Sequence, residues 1–284
     1  MLVAQRSRHR IHRFSLHRPR TAAEAVAMHA ASQGVAAYMS GGIDLIAAMK
    51  AGSKIDDVVH LDRLANCAVI LKSDDDIVIG AGVTHDELAR SELVRCVYPD
   101  LCEAWAALAN YRVRIKGTVG GNIMARNVSY DFLLAAIASG ARIDLIDRQG
   151  SLRSLPALAA ASIEPGALVT AIRLPAQGCQ ALGLQLDWKP TVAFAIAFCT
   201  EGGVPVVRLA VGTGYEAAAV SALHLDRDLR EIRSSQVSEL AARLCVQLPS
   251  PLDDWRASAE YRRHIIQVLV RRKIDRMREM RALQ

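Results

Sequence analysis

Three short turns carry the residue types able to grip a ligand: Ser40-Gly41-Gly42-Ile43-Asp44, Gly80-Ala81-Gly82-Val83-Thr84 and Thr118-Val119-Gly120-Gly121-Asn122. Each follows a strand-like stretch or precedes a helix-like one. Glycine has no Cβ, so backbone N–H groups can approach a phosphate closely, and a helix start adds partial positive charge. Any one of them alone is more often a plain turn, because turns need glycine anyway. Two together, the latter flanked by Arg114 and Lys116, carry enough donors for the two phosphates of one dinucleotide. None fits G-x-G-x-x-G, which disfavours a Rossmann site.

Asp131 stands nine residues after Asn122, just ahead of an apolar helical run. It reads either as an acid favoured by the helix dipole or as an acceptor for sugar hydroxyls beside a phosphate turn. Asp44 has the same two readings, with the helix start preferred. His85, beside Thr84, is a catalytic candidate, but a histidine in a capping region is more often local structure. There is no G-x-S-x-G and no H-E-x-x-H, so no hydrolytic constellation emerges. The six cysteines (67, 96, 102, 179, 199 and 245) form no C-x-x-C. That argues against zinc or an iron–sulfur cluster held by this chain alone and suits a reducing cytoplasm.

The elements that must position these residues alternate at first between strand and helix. A short strand at 13–16 is followed by Thr21-Ala-Ala-Glu24, a capping box that opens an alanine-rich helix to about Gln33. A strand at 35–39 feeds the first glycine turn, and a helix at 45–50 closes at Gly52. Strands at 69–71 and 77–80 flank Ser73-Asp74-Asp75-Asp76 as a hairpin. Thr84-His85-Asp86-Glu87 is a second capping box. Helices are expected at 101–109 and 133–139, then strands at 142–147, 193–199 and 206–211. Two helices, about 237–248 and 257–280, finish the chain.

At 284 residues, two domains are the starting expectation, with a boundary near residue 178 and a further division of the first part near residue 60. Half the chain is hydrophobic and 23% is charged, which excludes disorder and a disulfide mini-protein. No run of eighteen apolar residues occurs, so no membrane insertion is expected, and the arginine-rich start lacks the apolar stretch of a secretory signal. The net charge of +6 is concentrated at the ends: six Arg and no acid within 1–20, and nine Lys/Arg against three acids within 256–284. With 5% aromatics the body has little to stack on bases, so the basic ends read as solvated or subunit-docking surfaces and not as a nucleic-acid site.

Taken in order, the turns resemble the FAD-binding, or medium, subunit of the molybdenum hydroxylases, the family of xanthine dehydrogenase flavin domains and aerobic carbon monoxide dehydrogenase medium subunits. Ser40-Gly41-Gly42-Ile43-Asp44-Leu45 resembles the family's first flavin loop, usually A-G-G-T-D-L. Arg112-Val113-Arg114-Ile115-Lys116-Gly117-Thr118-Val119-Gly120-Gly121-Asn122 matches its most specific motif, Q-V-R-N-x-G-T-x-G-G-N. His17-Arg18-Pro19, Ile79-Gly80-Ala81-Gly82-Val83-Thr84-His85 and the closing Tyr261-Arg262-Arg263 with Leu269-Val270-Arg271-Arg272 are similar to its entry, central turn and ending. The likeness runs from about residue 11 to 280.

The resemblance implies an α+β chain. A two-lobed FAD-binding domain of the PCMH (vanillyl-alcohol-oxidase-like) type over 1–178 precedes a smaller sheet-plus-helices domain over 179–284. It implies FAD held by Met39, Ser40, Gly41, Gly42, Ile43, Asp44 and Leu45 and by Thr118, Val119, Gly120, Gly121 and Asn122, with both turns offering amides to the pyrophosphate. Asp131 would take sugar or ribityl hydroxyls, Leu108 and Val169 would pack near the rings, and Lys189 would stand near the isoalloxazine. It further implies a large molybdenum–pterin subunit, a small iron–sulfur subunit and an external electron acceptor. Ile43 replaces the usual Thr or Ser, and Val128-Ser129-Tyr130-Asp131-Phe132 departs from P-A-A-D-L. Pro190-Thr191-Val192-Ala193-Phe194 stands where an Arg and an Asp commonly follow the lysine; this and Ile43 leave open a flavin-free assembly subunit, and a stand-alone FAD oxidase is the other alternative.

Overall fold

The computed structural model describes residues 11–127, 130–185 and 191–282. The first lobe runs β1 (Ser15–His17), α1 (Ala22–Ala31), β2 (Ala36–Met39), α2 (Ile43–Lys50) and β3 (Asp57–His60), with strand order β1-β3-β2, both pairings parallel. Parallel neighbours need a crossover, and α2 supplies it between β2 and β3. The capping box at Thr21 forms as its sequence indicates: Thr21 Oγ1 accepts from the Glu24 amide at 3.1 Å, and the Glu24 carboxylate accepts from the Thr21 amide at 3.3 Å. The helix ends two residues earlier than its alanines suggest, at Ala31, because Ser32 turns to extended backbone.

The second lobe begins with β4 (Ile70–Lys72) and β5 (Asp76–Gly80), the expected hairpin, paired Lys72 to Ile77. Six helices follow: α3 (His85–Arg90), α4 (Glu92–Val97), α5 (Pro99–Ala107), α6 (Tyr111–Arg114), α7 (Val119–Met124) and α8 (Asp131–Ser139). Then come β6 (Arg142–Ile146), β7 (Leu152–Pro156) and β8 (Leu168–Pro175), giving a five-stranded antiparallel sheet in the order β4-β5-β8-β6-β7. Thr84 caps α3 through the Glu87 amide at 3.2 Å, the second capping box.

The last part is a four-stranded antiparallel meander, β9 (Cys179–Gln185), β10 (Phe194–Glu201), β11 (Val204–Val211) and β12 (Ala219–His224), followed by α9 (Ser234–Val246) and α10 (Ala259–Ala282). Strand β10 serves two cores because side chains alternate across a strand. Ala193, Ala195 and Ala197 join the core that contains α8, while Phe194, Ile196 and Phe198 pack with Ile266, Val270 and Ile274 of α10. The alanine row keeps that face of β10 flat, and α8 is buried from Phe132 to Ser139 apart from a half-buried Leu133. Each large apolar side chain buried there is worth about 1.5–3 kcal/mol. The start of α8, with Asp131, is thereby fixed against the second lobe and the meander at once.

Candidate functional site

The starts of α2, α7 and α8 converge on one cavity of about 950 Å³. That lies at the upper end of the roughly 300–1,000 Å³ of ligand clefts, room for a ligand larger than a small metabolite.

Helix α2 opens with an unmet need. Its N-cap is Gly42, at φ +74 in the left-handed region that glycine enters without a Cβ penalty, and no side chain caps it. The N–H groups of Ile43, Asp44 and Leu45 meet no acceptor among the described residues. First-turn amides have no intrahelical partner, and here they face a cavity with the helix dipole behind them. Such an arrangement attracts an anion.

The Thr118–Asn122 turn differs. Thr118 caps α7 by accepting the Gly121 amide at 3.1 Å. Val119 donates to Val83, Gly120 to Ala81 and Asn122 to the Thr118 carbonyl, each at 2.9 Å. A Cβ on Gly120 would lie 2.6 Å from that of Ala81. Val119 and Gly120 are fully buried and stand behind the cavity wall. The Gly80–Thr84 turn is the shelf that carries them. Arg114 donates to the Leu108 and Ala109 carbonyls at 2.7 and 3.1 Å, so it braces the wall and is not a free phosphate partner. The two glycine turns touch at the base, where a Cβ on Gly41 would overlap the Lys116 carbonyl oxygen.

Two further groups at the cavity, on α7 and α8, have no hydrogen-bond partner among the described residues. The Asn122 side-chain oxygen is buried without a hydrogen bond although the residue lines the cavity. A buried acceptor in that state can take a hydrogen bond from a ligand's donor. Burial pushes the Asp131 carboxyl up to about 7. Next to it, the Tyr130 hydroxyl donates to Asp44 Oδ1 at 2.6 Å and so ties the start of α8 to α2. Tyr130 is pushed up to about 12, first by burial and then by that bond.

Twelve of the sixteen residues singled out from the sequence line the cavity: Met39, Ser40, Gly41, Gly42, Ile43, Asp44, Leu45, Leu108, Thr118, Gly121, Asn122 and Asp131. Val119 and Gly120 support it from behind. Val169, on β8, is 5% exposed within the second-lobe core and does not line the cavity, because its side chain joins the sheet's packed face. Lys189 lies outside the described residues. The structure adds Tyr38, His85, Val113, Met124, Tyr130 and Arg256. Tyr130 sits beside Asp131 and was open to notice. Arg256 had no local signal: it arrives from the loop before α10, which the buried Arg262 holds through the Leu252 carbonyl at 2.5 Å and Asp254 Oδ1 at 2.8 Å.

Residues 12–177 match the family described as the FAD binding domain in molybdopterin dehydrogenase, and residues 190–277 match the CO dehydrogenase flavoprotein C-terminal domain. The chain is 27% identical to the carbon monoxide dehydrogenase medium chain of Afipia carboxidovorans, covering 93% of this chain and 96% of that one. It is 24% identical to the xanthine dehydrogenase FAD-binding subunit of Escherichia coli O157:H7, covering 92% and 94%. Among solved structures, reconstituted CO dehydrogenase from Oligotropha carboxidovorans superposes with a TM-score of 0.79 at 26% identity, over 94% of this chain and 98% of that one. Quinoline 2-oxidoreductase from Pseudomonas putida 86 shares the fold, with a TM-score of 0.81 at 20% identity over 95% and 98% of the two chains.

Proposed function

The chain belongs to the family of FAD-binding domains of molybdopterin dehydrogenases, and from that premise we propose that it is the electron-transfer subunit of a heteromeric molybdenum hydroxylase. Residues 1–178 form the FAD-binding domain in this reading, and 179–284 the smaller C-terminal domain. FAD, when bound, supplies two-step electron acceptance and release. The chain's own residues hold and orient it. The α2 amides of Ile43, Asp44 and Leu45 take the pyrophosphate, Asn122 supplies a side-chain amide, and Asp131 accepts from sugar or ribityl hydroxyls. Leu108 and Met39 exclude water from the cavity wall.

The observation that carries this reading is the convergence of uncapped α2 amides, an orphaned Asn122 oxygen and a desolvated Asp131 on one cavity. An anion and hydroxyl donors on one ligand are what those three groups ask for together. In this scheme a small iron–sulfur subunit hands electrons to the site, a large molybdenum–pterin subunit oxidises the substrate, and an external acceptor drains the electrons in the cytoplasm. The arginine-bearing α10 is the proposed docking face for a partner subunit.

Titrating purified chain with FAD and reading flavin absorbance after removal of free nucleotide tests the proposal. One FAD retained per chain is expected. A well-folded chain that retains none, yet still assembles with its partners, would mean a flavin-free assembly subunit instead.

A further inference from the structure

His85 opens α3 and is 4% exposed, yet its ring lines the cavity. On the core side its Nδ1 accepts the indole N–H of Trp105 at 3.1 Å. Trp105 is fully buried and packs edge-on against Phe132 with ring centroids 5.4 Å apart, so this bond is held by the core. A neutral imidazole that accepts at Nδ1 carries its proton at Nε2. Burial draws His85 down to about 4, which keeps the ring neutral at ordinary pH.

The Nε2 atom meets no acceptor among the described residues. A Cβ on Gly117 would lie 3.0 Å from Cδ2 and 3.2 Å from Nε2 of the ring, so that edge lies directly beside a glycine that itself lines the cavity. A larger residue at 117 would press on the imidazole. A core histidine serving packing alone would have both nitrogens satisfied, because a buried donor left unpaired is costly. Here one nitrogen is locked and the other is open towards the ligand space.

We propose that His85 is a cofactor-binding residue that donates its Nε2–H to an oxygen of the nucleotide in the cavity, with Trp105 as the positioning residue that fixes the tautomer. The inference rests on the FAD reading of the site and adds a donor from a third element, α3, to those from α2 and α7.

The test compares FAD dissociation constants of apo-protein carrying His85→Asn and His85→Gln. Asparagine keeps an acceptor near the Nδ1 position for Trp105 and removes the outer donor. Glutamine carries an amide N–H to about where Nε2 stood. The expected result is roughly tenfold weaker binding for His85→Asn with an unchanged melting temperature, and recovery of most of that loss in His85→Gln. In the wild-type chain the His85 Nε2–H proton resonance should move downfield when FAD is added. A folded His85→Asn protein binding FAD within about twofold of wild type overturns the inference. So does an unmoved Nε2–H resonance, which needs no variant to fold. A wild-type chain that takes up no FAD at all overturns the reading beneath it, and the inference with it.

Discussion

The two glycine turns that meet at the base of the cavity contain the same Gly-Gly pair and leave opposite things free. At 40–45 the amides are open: Gly42 takes the left-handed conformation, no side chain caps α2, and three N–H groups face the cavity. At 118–122 the amides are spent on Val83, Ala81 and the Thr118 cap, and only the outer surface of Gly121 and the Asn122 side chain remain available. The first turn is built to receive an anion. The second is built to be rigid, so that it presents side-chain groups at a fixed distance from the first. A glycine pair in sequence does not say which of the two it is; accounting for its N–H groups does.

That contrast can be broken by substitution. The largest effects belong to glycines that pack against backbone. Gly41→Ala and Gly120→Ala each drive a methyl into neighbouring main chain, at Lys116 and Ala81 respectively, and should cost about 3 kcal/mol or more in stability, seen as a collapse of the thermal transition. Gly121→Val is the counter-case. Its Cβ would meet only the Thr118 hydroxyl, at 3.0 Å, and otherwise enters open cavity. The protein should melt close to wild type while FAD affinity falls by roughly a hundredfold, because the added side chain fills space the ligand needs. Unchanged affinity in folded Gly121→Val would place the ligand elsewhere.

Asp131 gives an intermediate, pH-dependent effect. Its carboxyl has an ordinary value of 3.8 and is raised to about 7 in the fold by burial. The unfolded chain sheds that proton near pH 4, while the folded protein keeps it until about 7. Stability of the ligand-free protein therefore falls across that window and levels off above it, by a few kcal/mol at most. Hydroxyl donors from the ligand favour the ionised carboxylate, so FAD affinity should rise with pH through about 7. Denaturant unfolding and FAD titration at a series of pH values read both trends, and Asp131→Asn should flatten both.

The smallest effect is Tyr130→Phe. Losing its 2.6 Å bond to Asp44 removes about 1 kcal/mol and loosens the tie between α8 and α2. FAD binding should weaken a few-fold by equilibrium titration, by the same factor at every pH, so that the rise set by Asp131 persists.

What was legible in the sequence was local. The capping boxes at Thr21 and Thr84 and the hairpin across Ser73 to Asp76 all follow from residues within a few positions of one another. The cavity-lining turns were legible for the same reason. Strands β7, β9 and β12 carry no such mark, because their pattern is set by partners in the sheet. The state of the second turn was hidden because Ala81 and Val83, which consume its amides, lie over thirty residues upstream. Val169, which the resemblance puts near the flavin rings, is packed in the core face of β8 and does not line the cavity, a placement set by the sheet and not by its neighbours in sequence. Arg256 enters the cavity from the far end of the chain, on a loop fixed by the buried Arg262, a connection only the folded chain makes.

The central claim is the asymmetry between the two turns, and backbone amide resonances of the isotopically labelled chain test it directly during an FAD titration. Ile43, Asp44 and Leu45 should shift strongly downfield as their N–H groups gain the pyrophosphate, while Val119 and Gly120, already bonded to Val83 and Ala81, should scarcely move. Strong shifts at Val119 and Gly120 with none at Ile43 to Leu45 would contradict the account.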